Sequence, residues 1–471
     1  MTDIPEIGVS FLSSNIKGPD GWRIRNLMRV GSNPIQLHLA LVGCKDHYVS
    51  LSANGDARMV AGLTREAMED LTVNEAAHWA RPETGLLKHA DGSQEQLATK
   101  AMSTSNGAEW DVRHRNVNTA FRSRDARTLF QGGMVETVML EVEALSKTPS
   151  GGFEIDAFGF AKRLALRNVW KLLFGRPAKP GVDEHVDVLL NSAVSPLVAM
   201  SPRMWPFPYY WVSKALRGLY AWAKEIGDDK LTNPDDSIAS LMVNRREADG
   251  SLPSVEKIYG DMTGLYLTGR DGPASDIAWT LFLLAAHPTH QRGLREDLLG
   301  TPGYDSPLLA AIINESRRLI PASFILNPRI CTTSYELVGI KIPRGAMGFG
   351  SILARHHDPE VWANARSFDP ERWLQPAFKP HRFDFIPFGL GKRRCVGDQF
   401  ADLQTRIAVA EILRRFHVGL DPQATYAYQA VAVLTQPRPT NKLRFVPLKD
   451  AAPPAVQAIK GNVHDLAALP R

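Results

Sequence analysis

The sequence has few cysteines and no long apolar segment. Its three cysteines, Cys44, Cys331 and Cys395, stand far apart and form no Cys-x-x-Cys pair. Such a set provides no disulfide framework, and it argues against a secreted protein and against a cysteine-based zinc site. The first six residues contain neither a basic stretch nor an apolar run long enough for a signal peptide or a membrane anchor. We therefore expect a cytoplasmic protein without a membrane anchor.

An excess of charge of one sign is also missing. The 55 Lys and Arg residues nearly balance the 50 Asp and Glu residues, and the net charge of +5 is dispersed along the chain. A nucleic-acid-binding protein concentrates basic residues on one surface, so no nucleic acid partner is expected. Hydrophobic residues make up 44% of the chain and charged residues 22%, which is typical of a globular protein with a large core.

No linker divides the chain, although its length alone would suggest about three domains. We predict one domain over residues 1–450, followed by a polar, Ala- and Pro-rich tail over residues 451–471. The protein is expected to be a monomer.

A glycine-rich loop contains the most informative cysteine. Residues 388–397 read Phe-Gly-Leu-Gly-Lys-Arg-Arg-Cys-Val-Gly, so that Cys395 lies between glycines and directly behind three basic residues. A thiolate that binds haem iron needs positive charge and backbone donors around its sulfur, and glycines allow tight turns beneath a flat macrocycle. We therefore interpret Cys395 as a haem-iron ligand. Cys44 and Cys331 are interpreted as inert thiols, which are the commoner kind.

The longest predicted helix opens near Ser254 and closes at His287-Pro288, a span of roughly 50 Å. Its middle, residues 268–273, reads Thr-Gly-Arg-Asp-Gly-Pro. Two glycines and a proline are unfavourable in a helix interior, because the proline removes a backbone donor and clashes with the preceding turn. Such a local inconsistency often marks a functional site.

A second helix is predicted from Ser306, a favourable N-cap, through Pro307 to the residue before Pro321. Glu315 and Arg318 stand three residues apart on it and share one face. Alone this pair is a weak signal, because ion pairs at this spacing occur on many helices.

Strand signals are sparse. A strand is expected within Gln36 to Val42, and Tyr335 to Ile342 is strand-like and precedes a turn at residues 343–345, which predicts a hairpin with the next apolar run. An amphipathic helix is predicted over residues 401–416. These patterns indicate a mainly α protein with small β-sheets, of the α+β class.

Three further segments are candidates for function. The polar loop of residues 81–107 is a candidate substrate lid. Residues 195–222 are dense in aromatic side chains, which favours either core or the apolar roof of a ligand pocket. Residues 358–388 are rich in Pro, Trp, Phe and Arg without a regular period, and an irregular segment of that length inside a domain is usually functional.

Over nearly its whole length the chain resembles the cytochrome P450 haem-thiolate enzymes, as a soluble bacterial-type member. Phe388, Gly391, Arg393, Cys395 and Gly397 match the family's cysteine-loop signature position by position. The resemblance implies a single triangular fold around a buried haem b.

The resemblance also implies two sets of interacting residues. Glu315 and Arg318 match the family's Glu-x-x-Arg pair, and Arg372 in Phe-Asp-Pro-Glu-Arg-Trp (residues 368–373) matches the third member of the same network. Arg329 and Arg393 would pair with the haem propionates, a role suited to the guanidinium fork. Trp110 would reach a propionate through its indole N–H group.

The chain departs from the family pattern at two places. Where an arginine usually follows the helix tryptophan by four residues, this chain has His114, which implies weaker or pH-dependent propionate binding. The central-helix motif normally ends in an acid followed by threonine, whereas here Asp271 is followed by Gly272.

In the family that threonine is thought to place a hydroxyl or water beside bound dioxygen, and glycine has no donor. Thr268 or Ser275, both near the face of Gly272, could supply a hydroxyl instead. The substrate's own polar group could complete the proton path, or the enzyme does not activate dioxygen in the usual way. A neutral change in which water fills the gap weighs about equally with altered chemistry.

The leading hypothesis is a monooxygenase of secondary metabolism that oxidises an apolar or aromatic small molecule, because thiolate ligation favours O–O cleavage. Electrons would come from a separate ferredoxin or flavodoxin and its reductase, which Lys392 and Arg394 would attract. The alternative is a haem-thiolate isomerase, dehydratase or group-transfer enzyme that acts on an O–O or N–O bond without external electrons, for which Gly272-Pro273 is the evidence.

Overall fold

Short strands and many helices make up the protein. The computed structural model describes residues 33–50, 59–81, 102–122, 124–146, 152–177, 179, 181–193, 206–245 and 254–470. In chain order the helices are α1 (Pro34–Ala40), α2 (Arg65–Thr72), α3 (Glu75–His78), α4 (Gly107–Arg122), α5 (Arg124–Ser146), α6 (Ala157–Asn168), α7 (Val182–Ala193), α8 (Pro206–Thr232), α9 (Ile238–Asn244), α10 (Val255–Gly269), α11 (Asp271–Ala286), α12 (Pro288–Gly300), α13 (Pro307–Leu319), α14 (Ile352–His356) and α15 (Asp398–Leu413). The predicted α+β class with small sheets is confirmed.

Four small sheets lie among these helices. The strands are β1 (Tyr48–Ser50), β2 (Met59–Gly62), β3 (Trp79–Ala80), β4 (Phe153–Asp156), β5 (Arg329–Cys331), β6 (Tyr335–Leu337), β7 (Ile340–Ile342), β8 (Met347–Gly350), β9 (Phe416–Leu420), β10 (Tyr428–Val431), β11 (Leu434–Pro437) and β12 (Lys442–Pro447). The largest sheet has the order β1-β2-β8-β5-β3, with only the β2–β8 pair parallel. A three-stranded sheet has the order β4-β12-β9, and β10-β11 and β6-β7 are hairpins.

Helix α11 occupies the main hydrophobic core. Of its 16 residues 14 are buried, including Trp279 and Phe282. A helix whose sides are all buried must pack against several other elements. Helices α6, α13 and α15 and strand β9 supply them. The first residues of α11 are thereby held at a fixed position inside the domain.

The expected continuous central helix is interrupted at Arg270, between α10 and α11. Pro273 has no N–H group to donate to the carbonyl of Gly269, and its ring crowds that carbonyl. The interruption therefore falls where the missing hydrogen bond would have been. The start near Ser254 and the end at His287 agree with the prediction.

Two predicted β features are wrong in detail. Residues 34–40 form α1 and not a strand. Pro34 presets a helical backbone in the first turn, and Gln36 donates to the Tyr428 hydroxyl at 2.7 Å, a packing contact that the local pattern does not contain.

The hairpin of residues 335–342 turns at Val338-Gly339, not at residues 343–345. Both turn residues have positive φ, 47° and 79°, which a tight two-residue turn demands and glycine adopts without strain. The run after residue 345 forms β8, which pairs with β2 and β5 instead.

Residues 451–470 are not a free polar tail. Ile459, Val463 and Leu466 are buried in the main core, and the backbone amide of Tyr426 donates to the carbonyl of Lys460 at 2.8 Å. The apolar residues of this segment have neither helical nor strand spacing, but they are sufficient to pack it against the core.

The candidate lid and part of the aromatic segment, residues 82–101 and 194–205, lie outside the described residues. Further along, Trp222 is core, with its ring centroid 5.2 Å from that of Trp170, whereas Trp211 is exposed. Residues 358–388 are irregular apart from a short 3-10 helix at Pro370–Leu374. Within the described part of the chain, no helix has the length and apolar content needed to cross a membrane.

Candidate haem-binding site

The cysteine loop is closed by backbone hydrogen bonds. The amide of Cys395 donates to the carbonyl of Phe388 at 2.9 Å, and the amide of Gly389 donates to that of Ile386 at 3.0 Å. Gly391 has φ of +70°, and a side chain there would place its Cβ 2.1 Å from the carbonyl oxygen of Thr72. Only glycine fits, so this residue allows the loop to pack directly against the end of α2.

Cys395 is surrounded by protein atoms yet remains accessible. Its side chain is exposed, unlike those of Cys44 and Cys331. Exclusion of water by the surrounding atoms raises the pKa of the Cys395 thiol, while the backbone amide of Gly397 and the charge of Arg394 oppose that rise. A metal cation bound to the sulfur would also stabilise the thiolate, and would therefore lower the pKa of the thiol as these two groups do.

A cluster of arginines lies beside the loop. Glu75 at the start of α3 bridges Arg329 and Arg393, since Arg329 Nε donates to its Oε2 at 2.9 Å and Arg393 Nε donates to its Oε1 at 2.5 Å. Arg81 donates from Nη1 to the carbonyl oxygen of Asn327 at 3.1 Å. Burial and the charges of Arg329 and Arg393 lower the pKa of Arg81 to about 9.

This cluster fits the propionates of a haem. Three arginines and one glutamate leave a net charge of +2, and Nε of Arg81 is a buried donor without a hydrogen-bond partner among the described residues. Buried charge and unpaired buried donors are costly unless an acceptor is bound. Two carboxylates would supply both the acceptors and the opposite charge.

Trp110 and His114 adjoin the same cluster. The guanidinium of Arg393 lies 4.7 Å from the ring centroid of Trp110, which is buried, and the His114 ring stacks on Trp110 at 4.5 Å. Burial and the nearby charge of Arg393 lower the pKa of His114. His114 is therefore neutral near pH 7 and would meet an anion only as a neutral hydrogen-bond donor.

Glu315 and Arg318 meet on one helical face, as their spacing predicted, and Arg372 joins them, as the family resemblance implied. Glu315 and Arg318 are fully buried and form a bidentate pair, and Arg372 Nε lies 3.3 Å from Oε1 of Glu315. Glu315 also accepts from the amide of Asp369 at 3.1 Å and from the indole of Trp373 at 2.9 Å. The network thus joins α13 to the irregular segment that precedes the cysteine loop.

The interruption of the central helix places Asp271 in a buried ion pair. Arg270 donates from Nε to Asp271 Oδ1 at 2.6 Å and from Nη2 to Asp187 on α7 at 2.5 Å, while Gln436 donates to Asp271 Oδ2 at 3.0 Å. A Cβ added at Gly272 would meet no atom within 4 Å. The backbone of Gly272 therefore faces open space.

The two alternative hydroxyl groups are already engaged. Ser275 donates its hydroxyl to the carbonyl of Asp271 at 2.9 Å, and Thr268 donates its hydroxyl to that of Gly264 at 2.9 Å. Thr268 is exposed and lies before the interruption at Arg270, whereas Ser275 is completely buried. Neither hydroxyl has a proton free for a further donor bond in this arrangement.

Several residues of the site carry no sequence signal. Glu75 and Arg81 contact residues about 250 or more positions away. On α4 the buried arginine is Arg113, which pairs with Asp261 of α10 at 2.6 Å. Arg270 could have been suspected, because it precedes the motif acid directly.

Known proteins match this chain in sequence and in overall fold. The family model described as Cytochrome P450 matches residues 17–444. The chain is 26% identical to cytokinin hydroxylase of Arabidopsis thaliana, over 83% of this chain and 80% of that protein. It is 28% identical to pentalenene oxygenase of Streptomyces avermitilis, over 63% and 70% of the two chains. The solved structure of retinoic-acid-bound cyanobacterial CYP120A1 superposes with a TM-score of 0.73 at 18% identity, covering 83% of this chain and 89% of that one.

The match over nearly the whole chain, the fold and the accessible cysteine point to one family, in which haem is the cofactor. The protein is an oxidoreductase that belongs to the cytochrome P450 family.

Proposed function

We propose that the protein is a monooxygenase that oxidises an apolar or aromatic small molecule and uses haem b with Cys395 as its iron ligand. The accessible Cys395 thiol beside a buried cluster of charge +2 is the observation that carries the proposal. When bound, a thiolate-ligated haem supplies the cleavage of the O–O bond. Relatives named for hydroxylation of a cytokinin and oxygenation of pentalenene support a small-molecule substrate and a place in secondary metabolism.

In this proposal Arg329, Arg393 and Trp110 bind the propionates, and His114 adds only a neutral contact. Phe388 keeps the cysteine loop in place through the guanidinium of Arg317, which lies 4.9 Å from its ring centroid. Gly391 and Gly397 allow the backbone to pass close to α2 and to the sulfur, respectively.

Glu315, Arg318 and Arg372 serve as a structural network. They hold residues 363–373 against α13, since Arg318 donates to the carbonyls of Ala365 and Ser367 and Arg372 to that of Ala363. The cysteine loop that follows this segment is thereby kept in register with the helical core.

Asp271 is proposed to hold and move protons near the reacting atoms of the substrate. Its two oxygens accept hydrogen bonds from Arg270 and Gln436, which fix the orientation of the carboxylate. Water or a polar group of the substrate in the open space at Gly272 would then connect Asp271 to the reacting atoms, in place of the usual threonine. Thr268, exposed one turn earlier, would join such a chain only as an acceptor, because its hydroxyl already donates to the carbonyl of Gly264.

Electrons are proposed to arrive from a separate ferredoxin or flavodoxin and its reductase, and the enzyme is proposed to act as a cytoplasmic monomer. Lys392 and Arg394 are exposed beside Cys395, where they would attract an acidic protein. NADPH-driven turnover of apolar substrates with surrogate ferredoxin and reductase tests the proposal. Substrate-dependent product that contains one oxygen atom from dioxygen is expected, and no such product with any electron donor would refute it.

A second candidate is an isomerase, dehydratase or group-transfer enzyme that acts on an O–O or N–O bond. The observation in its favour is the open space at Gly272 together with the engaged hydroxyl groups of Thr268 and Ser275. Turnover of an organic hydroperoxide without NAD(P)H or redox proteins would support it.

A further inference from the structure

One carboxylate lies between two of the arginines. Glu75 is only 8% exposed and Arg329 only 3% exposed, and each oxygen of Glu75 accepts from Nε of a different arginine. Arg329 uses Nη1 for the carbonyl of Asn327, at 2.7 Å, and Arg393 uses Nη2 for the carbonyl of Ser105, at 2.9 Å. Both guanidinium planes are therefore fixed, and among the described residues no acceptor meets Nη2 of Arg329 or Nη1 of Arg393.

Arg81 completes the cluster from the end of strand β3. Its Nη1 donates to the carbonyls of Asn327 and Pro328, and its backbone amide donates to the side chain of Asn106 at 2.8 Å. Its Nε is buried and has no partner within the described part of the chain. An arginine held this firmly beside two others, with a donor unused, is arranged for an anion.

We propose that Glu75 is a positioning residue for haem, and that Arg81 is a third arginine that binds a haem propionate. Glu75 offsets one of three buried positive charges and sets the planes of Arg329 and Arg393. The remaining charge of +2 equals what two ionised propionates neutralise. This inference rests on the propionate-binding roles proposed above for Arg329 and Arg393.

Substitution of Glu75 tests the positioning role. Glutamine keeps the shape but turns an amide donor toward one arginine, so that arginine loses its acceptor and the cluster rises to +3. Holoenzyme with Glu75→Gln is expected to transfer haem to excess apomyoglobin roughly tenfold faster than wild type, as is usual for groups that orient ligand-binding residues. The matched control is Glu69→Gln. Glu69 lies on the neighbouring helix α2 and forms an exposed ion pair with Arg382, so its substitution should leave the rate of haem transfer unchanged.

The reduction potential provides a second readout. An uncompensated positive charge near the iron disfavours the ferric state, so the midpoint potential of Glu75→Gln should rise, whereas Glu69→Gln should show no shift. Haem transfer that is unchanged or slower in Glu75→Gln would overturn the positioning role, since the carboxylate would then be irrelevant or a competitor of the propionates.

Arg81→Gln tests the third arginine without disturbing the Glu75 bridge. The variant reconstituted with haem should lose it roughly tenfold faster than wild type, because a hydrogen bond to a charged group is lost. With iron protoporphyrin IX dimethyl ester, whose propionates carry no charge, the difference between Arg81→Gln and wild type should disappear. A difference that persists with the ester would show a general structural effect and would refute propionate binding by Arg81.

A comparison with Arg329→Gln separates this inference from the proposed haem site. If Arg329→Gln accelerates the loss of haem and Glu75→Gln and Arg81→Gln do not, the haem site stands and the further inference fails. If none of the three variants accelerates the loss, both are refuted.

Discussion

The carboxylate of Glu315 and the guanidinium of Arg318 form two parallel hydrogen bonds, of 2.8 and 2.9 Å, between side chains that are both completely buried. Arg318 also donates to the carbonyls of His356, Ala365 and Ser367. One helical pair thus satisfies backbone groups of a long segment that has little regular structure of its own.

Glu315→Ala is expected to destabilise the protein by about 3–5 kcal/mol, because it leaves a buried guanidinium without its counter-ion. Urea unfolding of the purified variant, with the haem content of the purified protein, measures the effect. Glu371→Ala, at an exposed position of the same segment, is the control and should change the free energy of unfolding by less than about 1 kcal/mol. A Glu315→Ala variant as stable as this control would contradict the structural role.

Cys395→Ser should abolish the thiolate character of the absorption spectrum that the haem protein shows in the reduced, carbon-monoxide-bound state. A serine hydroxyl does not provide the electron-rich sulfur ligand. Cys44→Ser, at a partly exposed thiol, should leave the spectrum of the wild-type protein unchanged. A wild-type spectrum without thiolate character would contradict Cys395 as the iron ligand.

Gly272→Thr is expected to fold normally and to change the free energy of unfolding by less than about 1 kcal/mol, because the added atoms enter open space and threonine is the better helix former. For the monooxygenase, NADPH-driven turnover and the fraction of NADPH coupled to product should rise. For the isomerase-type alternative, turnover of the hydroperoxide should not improve. Turnover with and without NADPH, measured on the same preparations, decides between the two candidates.

Acid is expected to destabilise the protein through buried histidines. Burial lowers the pKa of His38 and of His356 to about 3. In the unfolded chain each histidine takes up a proton near pH 6.5, whereas in the folded state it stays neutral until about pH 3, so stability falls as the pH drops below 6.5. Each such histidine contributes a slope of about 1.4 kcal/mol per pH unit in that window.

Urea unfolding at pH 7.0 and 5.5 measures this dependence. His38→Gln should show a smaller loss of stability between the two pH values than wild type, even if its stability at pH 7.0 is lower because the contact with Ser351 changes. The exposed His381→Gln serves as the control and should show the wild-type loss. An unchanged pH dependence in His38→Gln would contradict a neutral buried His38.

Lys392→Glu should slow electron transfer from an acidic ferredoxin roughly two- to tenfold at low ionic strength, because the exposed charge beside Cys395 is proposed to steer the partner. At about 1 M salt, where charges are screened beyond about 3 Å, the variant and the wild type should converge. Lys442→Glu on β12 is the matched control, since it makes the same change of charge at an exposed site of the β4-β12-β9 sheet. Equal slowing by both variants would point to net charge instead of a local docking surface.

The local sequence was sufficient to predict features whose chemistry and geometry depend on residues close together in the chain. The glycines and basic residues around Cys395 predicted the loop, and Ser306 was correctly placed as the N-cap of α13, where its hydroxyl accepts from the amide of Leu309 at 3.1 Å. The spacing of Glu315 and Arg318 placed them on one helical face, and Pro273 predicted the irregularity of the central helix. These features depend on interactions within about four residues, so the sequence by itself determines them.

Only the tertiary structure decided which distant groups meet. Residues 34–40 alternate like a strand but form a helix, because the main sheet is completed by other segments and Tyr428 offers a partner to Gln36. Glu75 reaches Arg329 across 254 positions of sequence, and Arg270 joins Asp271 to Asp187 on another helix. Such contacts form when buried charged groups pair with one another as the elements pack. The periodicity of the sequence does not predict which groups will pair. The proposed iron ligand was therefore predicted from the sequence, whereas the charges that surround the proposed haem are a property of the fold.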